Sequence, residues 1–243
     1  MTVSIIETEK YDLKSPYLIE GFPGIGLVGT ISANYMVEKL GMEPFGHILS
    51  ERFSPIASIH NYAPLHPARM YKSKKHNLVV LFSELVIPMN TIYPLSQEIL
   101  GWAKRHKCRQ IISLGGINIK GDQDTVYGIA SLPELSRMIE RKGVKLIREG
   151  VTTGVSGVLL ADCATRNFPA ISLLAEAHAE YMDPKGAAMV LDVLSDIINV
   201  KIDTHDLLSQ SKEIEGKVRQ LLDQAKDVHE EYKKATGLGP MYG

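Results

Sequence analysis

Gly24-Ile25-Gly26-Leu27-Val28-Gly29 spells G-x-G-x-x-G between a short apolar run and a helical pattern, and Glu51 follows near the end of a plausible second strand. On spacing alone this is a dinucleotide-binding fingerprint, in which glycines let backbone N–H groups approach a pyrophosphate at a helix N-terminus. The same stretch, with Gly21, also suits a tight turn and close packing of helix on sheet. Two residues favour packing: Glu20 would repel a pyrophosphate lying close to it, and Pro23 removes one backbone donor from the cradle. Thr152-Thr153-Gly154-Val155-Ser156-Gly157 offers a second possible anion nest ahead of a helix, for which capping and a close helix contact are the simpler account. Asp122 and Asp124 sit in the loop after Gly115-Gly116, where open α/β sheets keep ligands, and could bind a metal or act as an acid–base pair. Lys120-Gly121-Asp122-Gln123-Asp124 reads more simply as a solvated turn.

No other cluster points to catalysis. The eight histidines lack metal-ligand spacing: His60 and His66 are six apart with Pro64 between them, and His178 has only Glu176 and Glu180 close by in sequence. Cys108 and Cys163 are far apart, neither forms a Cys-x-x-Cys pair, and no Gly-x-Ser-x-Gly elbow occurs. The expectation is a protein without catalytic residues, metal or cofactor, which acts by binding. The carboxyl terminus fits that expectation. Met241 offers a flexible apolar chain, Tyr242 a stiff ring with a hydroxyl, and Gly243 a terminal carboxylate that can pair with a buried lysine. Gly237-Leu238-Gly239-Pro240 cannot continue a helix, so these three residues are expected on an extended stem.

The elements that would position these groups alternate. Tyr17 to Glu20 reads as a strand entered through Ser15-Pro16, and Leu27 to Leu40 as a helix stopped by Gly41. Short strands are expected at Ile48-Leu49, Ile56 to Ile59 and Met70-Tyr71. Leu78 to Phe82 is apolar without alternation, as a strand covered on both faces must be. A helix is expected from Pro94 to His106, with Pro94 at its first position. Ile111 to Leu114 reads as a strand stopping at Gly115-Gly116, and Val126 to Ser131 as an edge strand. Helices at Pro133 to Arg141, Ser156 to Asn167 and Pro184 to Asn199, the last capped by Asp183, flank a core strand at Ala170 to Leu174. The alternation predicts an α/β fold, a three-layer sandwich around a mostly parallel sheet. From Leu207 to Tyr232, the apolar positions Ile214, Val218, Leu221, Ala225, Val228 and Tyr232 step by four and three. That heptad seam predicts a long C-terminal helix that docks on its own domain or packs against other copies. The expected organisation is a domain over 1–200, a helical segment over 201–235 and a tail over 236–243.

The bulk properties agree. The 243 residues carry a formal net charge of −1, with 23% charged and 44% hydrophobic residues. There is no basic surplus for a nucleic-acid partner, no apolar run long enough to cross a membrane, and no signal-peptide pattern at the start. The expected location is the cytoplasm.

Tyr17-Leu18-Ile19-Glu20-Gly21-Phe22-Pro23-Gly24-Ile25-Gly26-Leu27-Val28-Gly29 resembles the opening motif of the proteasome assembly chaperone family. Leu114-Gly115-Gly116 and Thr153-Gly154-Val155-Ser156-Gly157 are similar to its later landmarks, and the likeness covers about 15–200. The resemblance implies a phosphorylase-like α/β sandwich and a glycine loop that holds no nucleotide. It is nearest to the archaeal Pba-type homologues, which form homo-oligomers and bind the α-ring of the core proteasome. It further implies that Met241, Tyr242 and Gly243 form a hydrophobic-Tyr-any motif that inserts between α-subunits, and that several tails act together in an oligomer, a tetramer favoured. The chain would then assist assembly or gate opening without ATP. A rival expectation is an enzyme that holds nucleotide or phosphate on a phosphorylase-like scaffold.

Overall fold

The computed structural model describes residues 3–118, 125–177 and 182–209. Along the chain run β1 (Val3–Glu7), β2 (Tyr17–Gly21), a 3-10 turn (Ile25–Leu27), α1 (Val28–Lys39), β3 (Glu43–Ser50), β4 (Ser58–His60) and β5 (Ala63–Leu65). Then follow β6 (Ala68–Ser73), β7 (Leu78–Ser83), α2 (Met89–Arg105), β8 (Gln110–Ile117), β9 (Val126–Ala130) and α3 (Pro133–Glu140). The remainder is β10 (Lys145–Leu146), α4 (Gly154–Thr165), β11 (Ala170–Glu176), α5 (Pro184–Ile198) and α6 (His205–Ser209).

Nine strands form one sheet in the order β1-β3-β6-β7-β2-β8-β11-β9-β10, and β4 and β5 form a separate hairpin. The four central strands, β7, β2, β8 and β11, are parallel. Antiparallel pairings extend the sheet through β6, β3 and β1 on one side and through β9 on the other. The sheet is therefore mixed, which corrects the expectation of a mostly parallel one. The cause is local: only Lys74 to Asn77 join β6 to β7, too few residues for a crossover, so that pair must be a hairpin.

Side chains of the central strands alternate between two buried clusters. Ile19, Val80, Ile112 and Leu173 pack with α1 and α5 on one face, and Leu18, Val79, Leu81 and Ile111 with α2 and α4 on the other. Burying each of these side chains contributes about 1.5–3 kcal/mol, so a strand buried on both faces is far more strongly held than an edge. Leu78 to Ser83 is buried at every position, as its uninterrupted apolar pattern requires.

Several boundaries and strands differ from expectation. α2 begins at Met89, so Pro94 lies inside the helix rather than at its start. Proline at that position cannot donate to the Asn90 carbonyl one turn back; the Arg52 guanidinium donates to that oxygen instead. β8 continues through Gly115-Gly116, which pair with Leu174 and Ala175 of β11, and Gly116 admits the Ile25 backbone rather than turning the chain. β9 is covered by the two-residue β10, and β1 was not anticipated. At the other end of the chain, Val200, Ile202 and Leu207 join the α1/α5 cluster. The Tyr35 hydroxyl donates to the Asp203 carbonyl at 2.7 Å. The heptad seam beyond Ser209 lies outside the described residues.

Candidate functional site

A cleft of about 840 Å³ opens at the carboxyl ends of the central parallel strands. Its floor and walls come mainly from four segments, Phe22 to Ile25 after β2, Val86 and Ile87 after β7, Leu114 to Asn118 of β8 and its exit, and Ile147 to Ser156 leading into α4, with Ile92 of α2, Ile129 of β9 and Leu174 of β11 completing the wall. This position follows from topology. After β2 the chain enters α1 on one face, and after the adjacent β7 it enters α2 on the other, so the two exits diverge and leave a crevice. The volume is that of a site for a small molecule or a short peptide. Apolar side chains dominate the walls, among them Phe22, Ile87, Ile92, Ile129, Ile147 and Leu174, and among the described residues Arg148 and Glu149 are its charged members.

Glu20 joins the two glycine-rich segments beneath this cleft. The residue is fully buried. The Ser156 hydroxyl donates to its carboxylate at 2.9 Å, the Phe22 backbone N–H at 3.2 Å, and the Ser113 hydroxyl also bonds to it. Burial raises its pKa above the usual value, and the three hydrogen bonds oppose that rise without cancelling it. The acid that sequence placed as a repeller of pyrophosphate is thus a buried bracket between β2 and α4. An acid closing an otherwise apolar strand, Tyr17-Leu18-Ile19-Glu20, was the available signal.

The first glycine segment does not form an anion cradle. A Cβ on Gly29 would lie 2.3 Å from the Leu114 carbonyl oxygen, and one on Gly116 would lie 2.2 Å from that of Ile25. These glycines let the 3-10 turn and α1 press onto β8. The Gly26 carbonyl accepts from the Asp183 N–H at 2.9 Å, tying the turn to the start of α5. Gly24 and Ile25 line the cleft, whereas Gly26 to Gly29 do not. Glu51 is exposed in the turn after β3, and β6 and β7 separate β3 from β2, so it is not placed beside the glycines as a dinucleotide site requires. The second segment does face the cleft: Thr152 to Ser156 line it, and α4 starts there with no side-chain cap and no acid in its first turn.

Other candidates have structural partners. His60 contacts Glu84 at 2.8 Å, and His66 stacks on His47 at 3.9 Å between ring centroids. Burial pushes the thiols of Cys108 and Cys163 up to about 12, so neither is a thiolate at neutral pH. Among the described residues no group of three His, Cys, Asp or Glu could hold a metal ion, and no helix is long and apolar enough to cross a membrane. Asp183 caps α5 as expected, accepting from the Gly186 N–H at 2.7 Å. Asp122, Asp124 and His178 lie outside the described residues, as do Met241, Tyr242 and Gly243.

Solved structures with this architecture include Pyrococcus furiosus PbaA, an archaeal homolog of proteasome-assembly chaperone. It is 29% identical with a TM-score of 0.84, covering 93% of this chain and 98% of PbaA. Pyrococcus furiosus PbaB, an archaeal proteasome activator, is 26% identical with a TM-score of 0.76, covering 90% of this chain and 98% of PbaB. In sequence, the uncharacterized protein MJ0106 of Methanocaldococcus jannaschii is 32% identical over 223 residues, 92% of each chain. The PAC2 family matches residues 18–222, a span that contains the Glu20 bracket, both glycine segments and every helix from α1 to α6. The chain belongs to the PAC2 family.

Proposed function

We propose that this chain is a non-enzymatic, ATP-independent chaperone or activator of the core proteasome, binding its α-ring through Met241, Tyr242 and Gly243. The observation that carries the reading is the likeness to both PbaA and PbaB over nine-tenths or more of each chain, since one is a homolog of an assembly chaperone and the other an activator. The tail chemistry supports the same reading. A thioether and a phenol can fill an apolar slot, and a terminal carboxylate can meet a lysine at its base. One such tail binds weakly. A cytoplasmic homo-oligomer, a tetramer favoured, joined through the 201–235 segment would present several tails at high effective concentration. Docking at several sites of a ring then assists α-subunit assembly or shifts the gate toward open.

The test is retention of native core proteasome by the intact chain and by a chain lacking the last three residues. Loss of retention with unchanged melting and oligomer size supports the reading. Equal retention by both chains would overturn it. The cleft gives one observation in favour of the rival, an enzyme holding nucleotide or phosphate on a phosphorylase-like scaffold. Calorimetry with nucleotides and inorganic phosphate separates the two, because the chaperone reading expects no heat of binding.

A further inference from the structure

We propose that Ser156 and Glu20 form a nucleophile–base pair in the cleft and hydrolyse carboxylic esters that carry a small apolar acyl group. The docking role proposed above is carried by the tail and involves no reaction. This inference gives a separate site a separate reaction, and neither depends on the other.

The pair is invisible in sequence, because 136 residues separate its members and no Gly-x-Ser-x-Gly elbow marks the serine. The fold brings them together. Ser156 is half-buried and lines the cleft, and its hydroxyl donates to the fully buried Glu20 carboxylate, at 2.9 Å to Oε2 and 3.2 Å to Oε1. That is the reach of a base taking the proton of a nucleophile. Glu20 is oriented in turn: the Phe22 N–H donates to Oε1 at 3.2 Å, and the Ser113 hydroxyl also bonds to the carboxylate. Nucleophile, base and the groups that hold the base thus form one chain of contacts. A bracket between β2 and α4 needs only a hydrogen bond, which an amide or a hydroxyl would make without burying an ionisable acid. A base for the serine has to be a group that accepts a proton.

Burial raises the Glu20 pKa, which makes its carboxylate a stronger base than an exposed one. No charged side chain from a neighbouring element contributes to that shift: β8 presents Ser113, α4 presents Ser156, and the exit of β2 presents the Phe22 N–H. Arg148 and Glu149, the charged lining residues among those described, are exposed on the wall.

The start of α4 supplies the remaining part. The first N–H groups of a helix have no intrahelical carbonyl to meet. Those of Gly154, Val155 and Ser156 open α4 with no side-chain cap and no acid in the first turn, and nothing lies within 4 Å of where a Gly154 Cβ would be. An ester carbonyl over Ser156 Oγ can turn its oxygen toward these donors, which stabilise the negative charge that develops there. The acyl group is set by the walls. Phe22, Ile87, Ile92, Ile147 and Leu174 offer apolar surface in a cleft of about 840 Å³, the size of a small-molecule site.

The reaction balances without a further oxidant or cofactor. Ser156 Oγ bonds to the ester carbonyl carbon as its proton passes to Glu20, and the carbonyl electron pair moves onto oxygen. Collapse of that intermediate breaks the bond to the alcohol oxygen, and the alcohol leaves with the proton from Glu20. Water then attacks the acyl-serine and gives a proton to Glu20, and Ser156 Oγ takes it back as the acid is released. Ester and water become acid and alcohol.

The experiment uses the full-length chain, p-nitrophenyl butyrate as substrate and a short-chain alkyl fluorophosphonate as covalent probe. Release of p-nitrophenol is expected, with a mass gain of one phosphonyl group mapped to Ser156 by peptide mass spectrometry and slowed by the ester. Ser156→Ala is expected to lower kcat/KM at least about hundredfold. Glu20→Gln is expected to lower it about hundredfold and to remove the rise in rate that the native chain shows as Glu20 loses its proton with increasing pH. Melting is measured for both variants. Labelling of the native chain needs no substitution and decides the case if either variant fails to fold. No label on Ser156, equal labelling of other hydroxyls, hydrolysis that survives Ser156→Ala, or a pH profile indifferent to Glu20→Gln would each overturn the inference.

Discussion

Gly24 to Gly29 and Thr152 to Gly157 look alike in sequence, small residues running into a helix, yet the fold uses them in opposite ways. In the first, backbone is pressed on backbone, and Gly29 and Gly116 mark where the turn and α1 meet β8 with no room for a methyl group. In the second, Thr152 to Ser156 line a cleft, and only Gly157 is tight, where a Cβ would lie 2.9 Å from the Thr152 backbone. What separates them is the strand beside each: α1 follows directly from a central strand and must lie flat on it, whereas α4 is reached from β10 near the sheet edge. A glycine pattern reports that backbone approaches something closely; it does not say whether that something is protein or ligand.

The sharpest way to break this contrast is to add one methyl group to each segment. Gly29→Ala is expected to destabilise by about 3 kcal/mol, because backbone atoms bound the clash with the Leu114 carbonyl and no side chain can rotate away. Chemical denaturation checks this directly. A loss under about 1 kcal/mol would show that α1 does not sit as tightly on β8 as described.

Glu20 sharpens the comparison, since it bridges the two segments. Its pKa in the fold lies above the ordinary 4.5, so the folded state holds its proton over a range where the unfolded chain has released it. Stability from this group is therefore complete below about 4.5 and falls as pH rises through the folded value. Glu20→Gln keeps the shape of the neutral acid and cannot ionise. The melting temperature of Glu20→Gln minus that of the native chain is expected to rise with pH from 4 toward 8. The substitution itself costs about 1–2 kcal/mol at low pH, where it disturbs the hydrogen bonds from Phe22 and Ser156. A difference that stays flat with pH would mean that burial does not raise the Glu20 pKa above its value in the unfolded chain.

Much of the scaffold was readable because burial on both faces leaves a plain signature. Leu78 to Phe82, Ile111 to Leu114 and Ala170 to Leu174 are uninterrupted apolar runs, and each is a central strand. The helix starts were readable where a cap or an N-terminal proline was present, as at Asp183-Pro184 and Pro133. Pro94 misled because its missing hydrogen bond is replaced from a distant residue, Arg52, and no local pattern can show that. β1 was missed although Val3, Ile5 and Ile6 are β-branched, because five residues ahead of a polar stretch show no alternation that would mark a strand. The cleft as a whole could not be read, although two of its wall segments, at Gly24 and at Thr152 to Ser156, had stood out as possible ligand contacts. Its walls come mainly from four segments that only the strand order brings together, and Val86-Ile87 and Ile147 to Val151 have no motif. Met241, Tyr242 and Gly243 lie outside the described residues, so the fold neither supports nor opposes their reading as a docking motif.

At Gly154 in the second segment the smaller effect should come from the backbone rather than from contacts. Gly154 has φ +76 and nothing within 4 Å of where a Cβ would be. Gly154→Ala is therefore expected to cost about 1 kcal/mol, through left-handed strain alone. Asn tolerates that conformation better than Ala, so Gly154→Asn should recover part of the loss. If Ala and Asn cost the same, the strain account is wrong and the position is sterically confined after all.

Gly24 gives the smallest effect and the closest control. It belongs by sequence to the packed segment but by geometry to the cleft, with extended backbone at φ −156 and open space where a Cβ would sit. Any residue adopts that conformation, so Gly24→Ala should change stability by less than about 0.5 kcal/mol, and the lower entropy of the unfolded chain makes a small gain the expected sign. Measured beside Gly29→Ala, it divides one six-residue motif into a half that the fold requires and a half that borders the cleft. A large loss at Gly24 would place the whole loop in the packing interface, and the cleft would then lose its floor.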